Sequence, residues 1–246
     1  MIRYISILIF IGLFFILSII IFPILLLIGL FNRHLRDVIS FKIVTRILKI
    51  VLLMAGTKVE VIGYDNIPKD TAVLYVGNHR SIFDIIIGYS LVPNLTGFVS
   101  KIEMKKVPFL AQWMHFVNCL FLDRSDIKAG LKMILDAIER IKSNISIFIF
   151  PEGTRCKTEG EMLEFKDGSF KIATKAGCPI VPVAFSNTGS IFENHFPRVT
   201  KEKVIVEFCE PIYPNELSKE EQKVLGKTTQ NIIMETMQKN NCHFIP

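Results

Sequence analysis

The chain has 246 residues and a formal net charge of +6 from 29 Lys and Arg against 23 Asp and Glu, which leaves room for one α/β domain and about thirty to fifty residues besides. Half of the residues are hydrophobic and mean hydropathy is +0.40, high for a soluble protein; the basic residues form no long run interleaved with aromatics, which argues against nucleic acid and for an anionic membrane surface. The five cysteines, Cys119, Cys156, Cys178, Cys209 and Cys242, show neither C-x-x-C nor Cys/His ligand spacing, so neither a disulfide framework nor a metal site is expected.

From Tyr4 to Phe31 no charged residue occurs. As a helix rising about 1.5 Å per residue, this stretch exceeds the roughly 30 Å hydrocarbon core of a bilayer. It is too long for the apolar part of a cleaved signal peptide, no small-x-small pattern closes it, and Arg33 and His34 follow directly. An uncleaved membrane anchor is expected. Pro23 inside it leaves two forms open, a kinked single span or two shorter helices that dip in and return. Over residues 41–55, Lys42, Arg46 and Lys49 recur among Ile43, Val44, Ile47, Leu48, Val51 and Leu52. This is a basic amphipathic helix, lying either in the headgroup plane or against the protein core with its charges in solvent. Arg33, Arg36, Lys42, Arg46 and Lys49 follow the apolar run, against Arg3 and the amino terminus before it. A single span would therefore put the C-terminal domain on the cytoplasmic side of the cell membrane.

The anchor and basic helix occupy residues 1–56, and residues 57–246 read as the catalytic domain. Within it, β-rich runs at 58–62, 72–76, 96–100, 119–122, 145–150, 180–185 and 204–208 alternate with helical patterns. The fold class is thus α/β, a mixed sheet flanked by helices. The clearest helix covers 126–143, with Ile127, Leu131, Ile134, Leu135, Ile138 and Ile141 on one stripe and Ser125 as N-cap. Pro182 falls inside a predicted strand, a position expected at an edge or a bulge.

The run ending at Val76 leads into Gly77-Asn78-His79-Arg80-Ser81-Ile82-Phe83-Asp84 and then Ile85-Ile86-Ile87. On one ideal helix His79 and Asp84 would sit about 140° apart and could not pair. With His79 in the loop and Ser81 as N-cap, Asp84 becomes the third helical residue and its carboxylate reaches back toward the imidazole. Ser81-x-x-Asp84 is equally readable as a capping box beside an unrelated histidine. A second strand end opens into Phe150-Pro151-Glu152-Gly153-Thr154-Arg155. There Gly153 permits close backbone approach and Arg155 offers a planar fork suited to phosphate. Phe121-Leu122-Asp123-Arg124 closes a third strand with an Asp-Arg pair, by itself an ordinary surface ion pair.

In this order, Asn78-His79-x4-Asp84, Phe121-Leu122-Asp123-Arg124, Phe150 to Arg155 and Val181-Pro182-Val183 resemble the four motifs of the glycerolipid acyltransferase family, over about residues 57–208. Lys101-Ile102-Glu103-Met104 resembles that family's lysine-bearing segment, and Phe165-Lys166-x-Gly168 the stretch after its third motif. The resemblance implies that His79 is the general base and Asp84 its partner. It further implies that Arg124, Glu152, Gly153, Thr154 and Arg155 form the acceptor site, with the arginines and Lys101 receiving a phosphate. The expected reaction carries a fatty acyl group from an acyl thioester, acyl-CoA or acyl carrier protein, to the sn-2 hydroxyl of 1-acylglycerol 3-phosphate, with no cofactor. The expected partners are a phospholipid bilayer, a lysophospholipid acceptor and the thioester donor, and no nucleic acid. The same motifs admit another acceptor, such as glycerol 3-phosphate, a different lysophospholipid or a lyso-aminolipid. Two further classes compete with this reading, a hydrolase using Ser81 or Cys156 with His79, and a non-catalytic membrane adaptor; the first lacks a G-x-S-x-G elbow.

Overall fold

The structure is a computed structural model that describes residues 1–158 and 160–244. Its sheet contains β1 (Lys58–Ile62), β2 (Leu74–Gly77), β3 (Thr96–Lys101), β4 (Leu120–Leu122), β5 (Ser146–Ile149), β6 (Ile180–Ser186) and β7 (Lys203–Phe208). Every predicted β run is present, with ends shifted by up to two residues. The spatial order is β1-β7-β6-β2-β5-β3-β4. Only the β6–β7 pair is antiparallel, so the sheet is mixed.

Period-two alternation divides the strand side chains between two cores. Tyr75, Phe148, Val181, Val183 and Phe185 enter one, while Leu74, Val76, Ile147, Ile149, Ile180 and Ala184 enter the other. Because both faces are buried there, the central strands β2, β5 and β6 are buried at every residue and nearly all apolar, whereas the edge strand β1 alternates Lys58 and Glu60 with Val59 and Val61. Helices α1 (Ile2–Phe31), α2 (Arg33–Ala55) and α3 (Ile82–Leu91) cover the first face. Helix α4 (Leu110–Phe116) joins α1 and α2 in a small satellite cluster. On the second face, α5 (Ile127–Lys142), α6 (Lys171–Ala176) and α8 (Leu225–Asn241) pack, the last preceded by the short α7 (Lys219–Lys223). In α5 the stripe is as predicted for Ile138 and Ile141, but the cap is not Ser125. Asp126 accepts from Lys128 N at 2.8 Å, and the Ser125 hydroxyl turns back to Asp123 Oδ1 at 2.6 Å.

Pro182 lies in a central strand, not at an edge. Its carbonyl accepts from Cys209 N at 2.9 Å, so its ring nitrogen faces the same side, where the paired register with β7 begins only at Val183 opposite Phe208. The missing N–H therefore falls at the terminal rung of the β6–β7 ladder, beyond its last registered pair, so the proline removes a bond at the ladder's end and none inside it.

α1 is one continuous helix with Pro23 inside it. The chain reverses at Asn32, whose side chain caps α2 by accepting from Leu35 N at 2.9 Å, and α2 begins earlier than the predicted residue 41. One stripe of α1, at Ile7, Phe14, Ser18 and Leu25, is buried. Phe14 stacks on Trp113 at 5.1 Å, and the Trp113 indole donates to Ser18 Oγ at 2.8 Å. Near the start of α1, Tyr4 stacks on Phe192 at 5.5 Å; further along, Phe22 packs on Phe116 at 5.8 Å. The opposite stripe, including Leu13, Leu17, Ile20 and Leu27, is more than half exposed. The aliphatic side of α2 is spent on protein, with Ile43 and Ile47 against the Phe14 cluster and Val51 and Leu52 in the main core, while Lys42, Arg46 and Lys49 point outward.

At the far side of the sheet, Asp37 of α2 accepts from Asn118 Nδ2 at 3.1 Å, and Asn118 Oδ1 accepts from Arg140 of α5. The loop ahead of β4 is thereby tied to both helix layers. Gly97 of β3 makes this approach possible, since a Cβ there would lie 2.0 Å from the Asn118 carbonyl oxygen. We predict that Gly97→Ala displaces the β3–β4 edge and costs about 3 kcal/mol or more, whereas Gly12→Ala, inside α1 with nothing within 4 Å, leaves the melting temperature unchanged or raises it slightly. Equal melting temperatures for the two variants would contradict this packing.

Candidate active site

The first motif begins with a clamp. Buried Asn78 uses its amide like a strand segment, donating to Phe185 O at 3.0 Å and accepting from Phe185 N at 2.8 Å, which fixes the end of β2 to β6. The next residue, His79, is in the loop, and Ser81 is the N-cap of α3, accepting from Phe83 N at 3.0 Å. Asp84 occupies the third helical position and is fully buried. Its Oδ2 accepts from Arg80 N and Ser81 N, each at 2.7 Å, and stands 2.9 Å from His79 Nδ1. The capping box and the His-Asp pair are therefore one arrangement and not alternatives. With the carboxylate as acceptor, Nδ1 of the neutral ring carries the proton and Nε2 is left for a molecule in the adjoining space. Phe150 stacks against the imidazole at 4.3 Å and fixes its plane.

That space is a cavity of about 360 Å³ at the carboxyl ends of β2, β5, β3 and β4, the usual location of ligand crevices in open α/β sheets. One part of its wall is aliphatic, from Ile82, Ile85, Val99 and Met133. Another carries cations: Lys101 at the end of β3, Arg124 after β4, and Arg155 and Lys166 after β5. Burial lowers the Arg124 pKa, and the Glu103 carboxylate opposes that shift. Gly153 has φ of 75°, and its backbone comes close to Lys166, whose Nζ would be 3.2 Å from a Cβ at this position. Thr154 also lines the cavity. Arg155 Nη1 donates to Glu193 Oε1 at 2.9 Å. The cavity thus pairs an aliphatic wall with a cationic one, and His79 lies on its lining.

Glu152 differs from the expectation. It does not line the cavity and is only 4% exposed. One carboxylate oxygen accepts from His79 N at 2.6 Å and the other from Leu163 N at 2.8 Å, so it clamps the His79 loop to the third motif from behind. Asp123 likewise does not pair with Arg124; it accepts from Ser125. Ser81 is fully buried with its hydroxyl donated to Glu193, and Cys156 is buried with its thiol toward Thr158 O, so neither is placed as a nucleophile. Two contributors carried no assigned role in the sequence. Lys166 lies in a segment singled out only by resemblance, and Glu193 opens a short 3₁₀ turn (Glu193–His195) that carries no sequence pattern and lies far beyond the third motif.

Burial pushes Glu152 up from the ordinary 4.5 to about 6, against the two backbone N–H donors, which lower it. Between those values the folded chain holds a proton that the unfolded chain releases, so this contribution to stability is complete below pH 4.5 and lost as pH rises through 6. The loss amounts to about 2 kcal/mol. We predict that the melting temperature of the wild type, relative to Glu152→Gln, falls between pH 4.5 and pH 6.5; a flat or rising difference would exclude a buried, raised Glu152.

A family model described as Acyltransferase matches residues 58–186. The 1-acyl-sn-glycerol-3-phosphate acyltransferase of Saccharomyces cerevisiae is 30% identical over 208 residues, covering 84% of this chain and 67% of that protein. Its namesake in Borreliella burgdorferi is 34% identical over 154 residues, covering 63% and 61% of the two chains, and that of Salmonella typhimurium is 33% identical, covering 62% of each. The matched segments thus span about two thirds or less of these relatives. A crystal structure of the 1-acyl-sn-glycerophosphate (LPA) acyltransferase PlsC from Thermotoga maritima superimposes with a TM-score of 0.74 at 28% identity, covering 96% of this chain and 97% of that one. The ordered motifs, the mixed sheet and these likenesses agree: the chain belongs to the acyltransferase family.

Proposed function

We propose that this protein transfers a fatty acyl group from an acyl thioester to the sn-2 hydroxyl of 1-acylglycerol 3-phosphate, forming phosphatidic acid. The observation that carries the reading is the His79–Asp84 pair, 2.9 Å apart, on a cavity with one aliphatic and one cationic wall. Such a cavity suits an amphiphile with an anionic head. Named relatives that act on this substrate share 30–34% of residues with the chain.

His79 Nε2 takes the proton of the acceptor hydroxyl as its oxygen attacks the thioester carbonyl carbon. Asp84, bonded to Nδ1–H, holds the ring's tautomer and stabilises the imidazolium that forms. Collapse of the tetrahedral adduct breaks the carbon–sulfur bond, and the imidazolium returns the proton to the departing thiolate. The acceptor oxygen is the nucleophile, so no serine or cysteine is acylated. Lys101, Arg124 and Arg155 receive the phosphate, the arginines through planar donor pairs. Donor thioesters of coenzyme A and of acyl carrier protein present the same reacting carbon, so the chemistry is the same with either one as donor.

The exposed aliphatic stripe of α1 supplies the lipid contact. Tyr4 and Phe22, eighteen residues apart and about 27 Å along the helix axis, both rest on the domain. A helix so covered along one side takes its domain with it, and we read α1 as embedded beside the domain in one leaflet, not as a free span. Lys42, Arg46 and Lys49 then meet anionic headgroups on the cytoplasmic face.

His79→Ala is expected to lower kcat by about 10²–10⁴-fold or more, with Cys156→Ala close to wild type; a normal rate in His79→Ala would overturn the mechanism. Replacing Leu13, Leu17 and Ile20 together by Asp should leave the inner stripe intact, release the protein from vesicles and depress turnover on vesicle-borne acceptor far more than on a short-chain soluble analogue. Parallel losses on both acceptors would remove α1 from the lipid contact.

A further inference from the structure

We propose that Glu193 is a positioning residue of this active site, holding Arg155 over the cavity while closing the first turn of α3; the proposal rests on the reading that Arg155 receives the acceptor's phosphate. Glu193 lies beyond the segment matched by the family model. Its carboxylate joins two motifs that are some seventy residues apart in the chain (155 − 81 = 74). Oε2 accepts from the Ser81 hydroxyl at 2.5 Å, and Oε1 accepts from Ile82 N at 2.8 Å and from Arg155 Nη1 at 2.9 Å. Ser81 is the cap that places Asp84, so the same carboxylate touches the scaffold of the proton-transfer pair and one cation of the anion site.

Arg155 has a half-exposed side chain, whereas that of Glu193 is 16% exposed. Without a fixed partner a long arginine side chain on a loop samples many rotamers, and binding through it carries the entropic cost of ordering them. Glu193 is itself held on both sides. Phe192 stacks on Tyr4 of α1 at 5.5 Å, and Asn194 Oδ1 accepts from Arg80 Nη2 at 2.6 Å.

A carboxylate beside an anion site could instead compete with the phosphate. Two features decide for positioning. The guanidinium has five N–H donors, and this contact engages Nη1. Part of the carboxylate's charge is also met by the Ile82 N–H at the positive end of α3.

The test uses full-length protein in phospholipid vesicles and measures kcat, both KM values and Tm for Glu193→Gln, Glu193→Ala, Arg155→Ala and the Glu193→Ala/Arg155→Ala double variant. Gln keeps the oxygen that Ile82 N and Arg155 Nη1 share but removes its charge, leaving Arg155 with a weaker, neutral acceptor. Glu193→Gln should raise KM for 1-acylglycerol 3-phosphate about tenfold, the scale of one charge-assisted hydrogen bond, with donor KM changed less than about twofold and Tm unchanged. In the double variant, acceptor KM should match that of Arg155→Ala alone, because the two residues act as a unit. An acceptor KM that is unchanged or lower in Glu193→Gln, while Arg155→Ala raises it, would overturn the proposal, as would effects that multiply in the double variant. Unchanged acceptor KM in Arg155→Ala would overturn the phosphate reading itself, and this proposal with it.

Discussion

One oxygen atom organises the catalytic end of the molecule. Asp84 Oδ2, fully buried, accepts from two successive backbone N–H groups, Arg80 and Ser81, and meets His79 Nδ1. A buried carboxylate is costly unless its lone pairs are filled. Here Oδ2 is filled by two amides at the start of α3, the N-cap Ser81 N–H and the preceding Arg80 N–H, so the need to cap α3 and the need to orient the imidazole are met by the same atom, while Oδ1 is buried without a hydrogen-bond partner among the described residues. The histidine gains a fixed tautomer from a feature the helix requires in any case.

The surrounding clamps serve this junction. Asn78 joins it to β6, Glu152 joins it to the third motif through His79 N, and Glu193 reaches it from the far loop through Ser81 and Ile82. Each is an acidic or amide side chain bonded to backbone groups near the end of β2, where the loop leaves the sheet and has no ladder to hold it. Such bonds restrict the His79 loop without occupying the cavity, which leaves Lys101, Arg124, Arg155 and Lys166 facing it. Positioning of this kind is where much of an enzyme's rate advantage arises, because a reacting group misplaced by an ångström loses most of its effect.

The outer half of α1 gives the site its setting. Its inner stripe meets Trp113, Phe116 and Phe192, and its outer stripe has no protein to cover it. An exposed aliphatic surface of this extent on a water-facing protein would favour association. Seated in a bilayer, as proposed, it would bring a cavity with an aliphatic wall to the level at which a lysophospholipid resides.

The amino-acid sequence by itself determined the strands, the capped helix after His79, the long apolar first helix and most of the residues that line the cavity, because these depend on local periodicity, capping chemistry and short motifs. Tertiary structure decided the rest. Glu152 turned inward because Leu163 N and His79 N, far apart in the chain, meet behind the cavity. Pro182 is tolerated in a central strand because β7 stops pairing there, and α1 lies along the domain because Trp113 and Phe192 fold back onto it. Glu193 had no legible pattern at all: its partners are Ser81, Ile82 and Arg155, and only the closing of the sheet brings them within hydrogen-bond reach.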